Sequence, residues 1–269
     1  MGKAIKVGVA GAGGKMGRML IGRCIQDPCF QLMAALERPE SPLVGVDAGL
    51  LSGSTSTGVK VNSNLLEVIE NIDILIDFTS PESTLSNVLV CQDKEKPIVI
   101  GTTGLGDSIG ALESAARYIP IMFAPNMSIG VNICFQVLET VARALGDQFD
   151  VEIIEAHHRD KIDSPSGTAL RMGEVVAEAL GRNLSDCAVY GREGDVGVRE
   201  SKTIGFETVR GGDIVGEHTV MFAGPGERIE ITHRASDRSN FANGALKAAK
   251  WLESRKHGLY DMQDVLNLR

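Results

Sequence analysis

The sequence predicts an α/β protein of two domains, and three observations carry that prediction. The first ~127 residues alternate strand-like and helix-like segments, the first strand runs directly into a glycine-rich turn, and three strand-like runs follow one another late in the chain without helices between them. Alternating units of this length imply a parallel sheet with right-handed crossovers. The N-terminal part therefore reads as a Rossmann-type doubly wound parallel sheet. The late runs alternate polar and apolar residues, as in a sheet covered on one face, and predict a smaller α+β domain with an open mixed sheet.

Each element has its own reason. Ala4–Ala10 is an apolar, β-branched run of the kind buried in parallel sheets. Lys15–Ile25 reads as a helix with Met16, Met19, Leu20 and Ile25 on its apolar stripe, and Phe30–Leu36 as the second strand. Leu65–Glu70 reads as a short helix and Asp73–Phe78 as a strand. Pro81 opens a helix to about Gln92, at a position where its missing N–H costs nothing. Pro97–Ile100 is a strand, Ser108–Arg117 a helix and Ile121–Phe123 a strand. Beyond Asn126 the texture changes: helix Ile129–Leu145, strand Val151–Ala156, helix Thr168–Leu180, then strands Thr203–Val209, Ile214–Phe222 and Arg228–Thr232. A last helix, Phe241–Leu252, is expected to return to the first domain. The expected domains are 1–127, completed by 238–269, and 128–237.

Composition narrows the function. The 269 residues carry 27 Lys and Arg against 35 Asp and Glu, a net charge of −8. Such a balance excludes the basic face that a nucleic-acid binder needs. With 8 Phe, 3 Tyr and 1 Trp there is also little to stack on bases. Five cysteines (24, 29, 91, 134, 187) contain no CxxC pair, which predicts reduced thiols, no metal site and a cytoplasmic location. No uninterrupted apolar run approaches a membrane span, and the N-terminus lacks the layout of a signal peptide. Glycine is the outlier at 31 residues, against a typical ~7%.

The glycines cluster where chemistry needs them. Gly11, Ala12, Gly13, Gly14, Lys15 and Met16, followed by Gly17, lie between a strand and a helix, the context of a dinucleotide pyrophosphate site. There the chain must turn sharply, approach the phosphates and leave the first helical N–H groups free. The spacing is G-x-x-G-x-x-G rather than G-x-G-x-x-G, because Met16 holds the sixth position. About twenty residues on stand Glu37 and Arg38, an acid suited to ribose hydroxyls and a cation suited to a 2′-phosphate. Having both points to NADH or NADPH without choosing between them. Gly101, Thr102 and Thr103, then Ala124, Pro125, Asn126 and Met127, follow later strands, and Phe78-Thr79 ends the middle one. All are expected on one rim, at the carboxyl ends of the strands.

The second informative stretch is EAHHRDKIDSPSGTA, from Glu155 to Ala169. It places His157, His158, Arg159 and Lys161 beside a helix start at Ser166, Gly167 and Thr168. In an acidic protein this is a local cationic site, and helix-start N–H groups favour a carboxylate. A histidine near its neutral pKa exchanges a proton, and a lysine among cations can donate one. Asp160 either supports the charge of Lys161 or faces solvent. His218, His233 and His257 stand apart and read as structural.

These motifs together, above all the histidine–lysine segment, with TIGFETVRGGDIVGEHTV (203–220) and ERIEITHRASDR (227–238), resemble the 4-hydroxy-tetrahydrodipicolinate (dihydrodipicolinate) reductase family over essentially the whole chain. The resemblance implies hydride transfer from NADH or NADPH to an unsaturated nitrogen heterocycle with two carboxylates, with loss of water from its hydroxylated precursor, in the diaminopimelate route to lysine. It implies that 11–16, Glu37 and Arg38 hold the pyrophosphate and adenosine ribose, and that Thr102–Thr103 and Pro125–Met127 line the nicotinamide half. It makes His157 and Lys161 the proton-transfer pair, with His158, Gly167 and Thr168 on the substrate carboxylates. A homotetramer formed through the second domain's sheet is the expected assembly. Another nicotinamide-dependent dehydrogenase would share the glycine loop but lack the histidine–lysine segment.

Overall fold

The computed structural model describes residues 3–268, which divide into two compact units: the residues up to Ile129 together with those from Ser239 onward, and Gly130–Arg238. In chain order the first unit supplies β1 (Ile5–Ala10), β2 (Phe30–Leu36), β3 (Val61–Asn62), β4 (Ile74–Asp77), β5 (Ile98–Ile100) and β6 (Pro120–Phe123). The second supplies β7 (Asp150–His157), β8 (Ala188–Tyr190), β9 (Ile204–Arg210), β10 (Gly216–Gly224) and β11 (Glu227–Ala235). The chain then returns to the first unit through helix Ser239–Leu252 and β12 (Gly258–Tyr260).

The first sheet is parallel throughout, in the order β12-β6-β5-β4-β1-β2-β3. Alternation along its strands sends side chains to both faces, and both are covered. Val7, Val9, Ile74 and Ile76 pack under helices Lys15–Gln26 and Ser239–Leu252, beside Leu20, Ile21, Ala245 and Leu252. Leu75, Ile98, Ile100 and Ile121 pack on the opposite face with Val88, Cys91 and Leu112, which lie on helices Pro81–Asp93 and Ile109–Ala115. The order reverses between β1 and β4. In a doubly wound sheet that switch point opens the ligand crevice at the carboxyl ends of the strands.

The second sheet runs β11-β10-β7-β9-β8, with β7, β9 and β8 parallel and β10 and β11 antiparallel. It is the mixed sheet the sequence predicts. One face is covered by helix Gly167–Ala179 and part of helix Ile129–Leu145, which bury Val151, Ile153, Phe206, Val220 and Phe222 against Met172, Val176 and Leu138.

The differences from expectation are local. β3, β8 and β12, of two or three residues, are too short to show a period. Helix Ser108–Arg117 shortens to Ile109–Ala115 behind a 3-10 turn, and strand Arg228–Thr232 lengthens at both ends to Glu227–Ala235. Among the described residues one helical stretch, Ile129–Gln148, is long and apolar enough by length and composition to cross a membrane. Counting uninterrupted apolar runs overlooks it, because Asn132, Gln136 and Glu139 break the run. Its Leu138 and Ala142 sit in the second unit's core.

Candidate active site

In the first unit the glycine loop is shaped by backbone contact. Gly11 takes φ +79°, a left-handed conformation open to glycine, and its N–H bonds Leu36 O at 3.0 Å. Any Cβ on Gly17 would overlap Gly11 O, so the helix sits directly on the loop. Gly14 is the N-cap of helix Lys15–Gln26, and no side chain caps that first turn. The N–H groups of Lys15, Met16 and Gly17 are thus the ones a helix start leaves without intrahelical partners. Glu37 at the end of β2 accepts from Gly13 N at 2.8 Å and from Arg38 N at 3.2 Å, so its carboxylate also braces the loop. Arg38 is exposed, with no side-chain partner among the described residues.

At the ends of β4 and β5 the rim is built on one buried carboxylate. Asp77, fully buried at the end of β4, accepts from Thr79 N (3.0 Å), Thr79 Oγ1 (2.6 Å), Asn87 Nδ2 (2.9 Å) and Thr102 Oγ1 (3.3 Å). Burial raises its pKa, against these hydrogen bonds. Thr84 Oγ1 bonds Thr102 Oγ1 at 2.8 Å. This network ties the ends of β4 and β5 together through Thr102 and Gly101 N, which bonds Asp77 O at 2.9 Å, while Thr103 is exposed. Ala124–Met127 follows β6, where Asn126 Oδ1 accepts from Ser128 N at 2.9 Å. The sequence-predicted cofactor residues therefore share one end of one sheet.

In the second unit the site is the polar end of the covered sheet face. Two successive cross-strand rows are apolar: Ile204–Val151–Phe222 and Phe206–Ile153–Val220. The next row is Thr208–Glu155–His218–His233, and the one beyond pairs His157 with Arg210. Strand alternation puts Glu155 and His157 on the same face as the core. Glu155, 1% exposed, bonds His157 Nδ1 at 2.6 Å and takes the Arg210 guanidinium on both oxygens at 2.7 and 2.8 Å. Burial alone would raise the Glu155 carboxyl, but Arg210 and His157 together hold it below the usual carboxylate range.

The loop from His158 to Ser166 is fastened at several points. Gly211 N bonds His157 O at 3.0 Å, Arg159 N bonds Gly212 O at 3.2 Å, and Arg210 reaches Asp163 O at 2.7 Å. Lys161 Nζ pairs with the Asp163 carboxylate at 2.7 and 2.9 Å, and that bond pulls the Asp163 carboxyl down. The acid beside the lysine is thus Asp163, while Asp160 is exposed. Ser166 Oγ caps helix Gly167–Ala179 by accepting from Ala169 N at 3.1 Å. Gly167 is exposed, and a Cβ there would meet nothing within 4 Å, which leaves the helix start open to a ligand. Arg238 contacts His158 Nε2 at 3.4 Å and adds another cation. Glu155 links His157 to the helix start by accepting from Ser166 N at 3.1 Å, and Lys161 joins the same group through Asp163 and Arg210.

Sequence reasoning did not single out Glu155, Arg210 or Arg238. Glu155 was readable, since alternation on a strand faces it the same way as His157. Arg210 depends on the register of β7 with β9, which no local pattern shows. His218 is a supporting residue: its ring stands edge-on to His157 at 5.0 Å and its Nε2 lies 2.9 Å from Ser166 Oγ.

Burial, then the charge of His157, lower the His218 pKa from 6.5 to about 3. The unfolded chain takes up this proton near pH 6.5 and the folded chain only near pH 3. Stability from this group is therefore complete above pH 6.5 and lost progressively below it. Between pH 7 and pH 5 the loss is at most about 2 kcal/mol. His218→Gln is expected to remove that part of the decline in urea midpoint over this range. An unchanged decline would show that His218 is not its source.

Comparison with known proteins places this geometry. Residues 5–127 match the family described as "Dihydrodipicolinate reductase, N-terminus" and residues 130–266 the one described as "Dihydrodipicolinate reductase, C-terminus". A protein from Methylococcus capsulatus named 4-hydroxy-tetrahydrodipicolinate reductase is 57% identical over 266 residues, 98% of this chain and 99% of that one. One of the same name from Acinetobacter baumannii is 54% identical over 269 residues, covering 100% of this chain and 98% of its own. Among solved structures, a dipicolinate-bound dihydrodipicolinate reductase from Paenisporosarcina sp. TG-14 has a TM-score of 0.78. It is 24% identical, with 97% of this chain and 99% of that chain covered, and it shows the shared fold.

Proposed function

The chain belongs to the dihydrodipicolinate reductase family, and we propose that it carries the family's reaction on His157 and Lys161, with the cofactor held by 11–16, Glu37, Arg38, 101–103 and 124–127. The reaction is the NADH- or NADPH-dependent reduction of 4-hydroxy-tetrahydrodipicolinate to tetrahydrodipicolinate with loss of water, in the diaminopimelate route to lysine. The observation that most supports the site assignment is the Glu155–Arg210 pair, which joins His157, the Ser166 N-cap of an open helix start and, through Asp163, Lys161.

The first unit's residues fit a dinucleotide. The uncapped helix turn offers N–H groups to a pyrophosphate, and the unpaired Arg38 can meet a 2′-phosphate while Glu37 lies beside it. When bound, the reduced nicotinamide supplies the hydride. The protein's own part is to orient the heterocycle and balance the proton. Gly167 and Thr168 receive one carboxylate at the helix start, His158 assists, and Lys161 with His157 exchanges the proton. A dianionic substrate competes with Asp163 for Lys161, and that exchange delivers the ammonium to the reacting ring.

The substrate side follows the dicarboxylate class named for the dipicolinate-bound relative. A homotetramer through the second unit's sheet is part of the same reading. Its support is the uncovered face of that sheet, where Ile154 and Val209 are exposed; the mass in solution by light scattering checks it, and a monomer overturns it. A cytoplasmic location fits the five free cysteines.

The assay is loss of NADH or NADPH absorbance with the freshly made product of the preceding aldol-type synthase. No loss with either cofactor would overturn the reading. In the same assay Arg38→Ala is expected to raise the KM for NADPH about tenfold and that for NADH less than twofold, the scale of one lost charge-assisted phosphate contact. Equal changes would remove Arg38 from the phosphate site.

A further inference from the structure

The proton role assigned to His157 leaves open what sets its tautomer. The Glu155 carboxylate is fully engaged: Oε2 meets His157 Nδ1 at 2.6 Å and Arg210 at 2.8 Å, and Oε1 meets Arg210 at 2.7 Å, Ser166 N at 3.1 Å and Thr208 Oγ1 at 3.3 Å. An ionised carboxylate only accepts, so the hydrogen of that 2.6 Å bond belongs to His157 Nδ1. The neutral ring then carries its lone pair on Nε2. Gly216 keeps that side clear, since a Cβ there would stand 3.0 Å from Nε2.

Resting on that reading of His157, we propose that Glu155, itself clamped by Arg210, is the positioning residue that holds His157 as the Nδ1–H tautomer and leaves Nε2 as the atom that exchanges the proton. The same carboxylate binds Ser166 N, the N-cap of the helix whose start is assigned to the substrate. Arg210 also holds Asp163 O, in the segment whose side chain pairs with Lys161. One buried carboxylate thus registers the imidazole, the lysine loop and the helix start against each other.

Arg210 has a second effect. The charged or titratable groups facing His157 are Glu155 on its own strand, Arg210 on β9, His218 on β10 and Lys161 on the loop. Burial lowers the His157 pKa, Glu155 opposes this, and the positive charges of Lys161 and Arg210 add to the lowering. Removing Glu155 leaves cations only; removing Arg210 leaves an unbalanced carboxylate. The two changes push the ring in opposite directions, which general structural damage would not do.

The experiment uses the full-length enzyme with cofactor and substrate. Glu155→Gln is expected to lower kcat about 10²-fold with KM for substrate within threefold, and to move the His157 limb of the kcat/KM pH profile down by about one unit. Arg210→Gln is expected to move that limb up. Nitrogen-15 NMR of the histidine rings in the unmutated protein is expected to show His157 protonated on Nδ1. An Nε2–H tautomer overturns the proposal whether or not the variants fold. A limb unmoved in both variants, but abolished in His157→Gln, overturns the positioning role and leaves the proton role of His157 intact. A limb that persists in His157→Gln overturns the proton role and this inference with it.

Discussion

Replacing Lys161 with alanine is expected to lower turnover by about 10²–10⁴-fold, the scale of a lost general acid, while the affinities for NADH and NADPH stay within about twofold. Lys161 lies on the loop between β7 and helix Gly167–Ala179, in the unit to which the substrate residues are assigned. Its ammonium is held by Asp163, whose side chain is 56% exposed, so the pair is a partly solvated one. Such pairs contribute about 0–1 kcal/mol to stability. The fold is therefore expected to survive the substitution, and a loss of rate reports on chemistry. Steady-state kcat with saturating cofactor, alongside fluorescence titration of NADPH, separates the two. A loss confined to cofactor affinity would contradict the role assigned to Lys161. Rescue by arginine is expected to be poor, because a guanidinium does not give up its proton.

What the sequence made legible depended on how local each signal was. β1, the glycine loop and its helix were readable together because they are contiguous, running from Ile5 to Gln26. The histidine–lysine segment was equally compact. Pairings set by sheet register were hidden: Arg210 reaches Glu155 across 55 positions, and only the alignment of β7 with β9 brings them together. Within the loop, adjacency in sequence left two readings of Asp160 open, and it faces solvent. Asp160 adjoins Lys161 along the chain, yet the turn closed by Lys161 N on His158 O at 3.1 Å turns the lysine to Asp163. Glu37 holds a similar lesson. An acid at the end of β2 was expected to face a ribose, and it also bonds the glycine loop itself. The brace is a contact made in the fold, and spacing alone names only the expected ligand contact. β3, β8 and β12 escaped for a plainer reason: two or three residues carry no period, and unlike Ile98–Ile100 they are not an unbroken β-branched run.

Gly17→Ala is expected to weaken binding of both NADH and NADPH by about 10²-fold or more, the scale set by displacing a binding element by ~1 Å. The added methyl would overlap Gly11 O and lie 2.7 Å from Gly11 C and 2.8 Å from Ala12 Cα. All three are backbone atoms, so no side chain can swing aside to make room. The helix must lift from the loop, and with it go the uncapped N–H groups assigned to the pyrophosphate. Gly22→Ala supplies the control on the same helix. Its Cβ would meet only Ser54 Oγ, at 3.8 Å, and alanine is worth up to ~1 kcal/mol over glycine inside a helix. That variant is expected to bind both cofactors normally and to melt no lower than the unmutated protein. Gly14→Ala falls between them, with its nearest approach 3.3 Å from Gly11 O. The ordering Gly22, Gly14, Gly17 in cofactor dissociation constant follows from contact with the loop backbone. Helix propensity alone predicts a gain at Gly17 and Gly22 alike, so normal cofactor affinity in Gly17→Ala would show that the close seat of the helix on the loop does not shape the site.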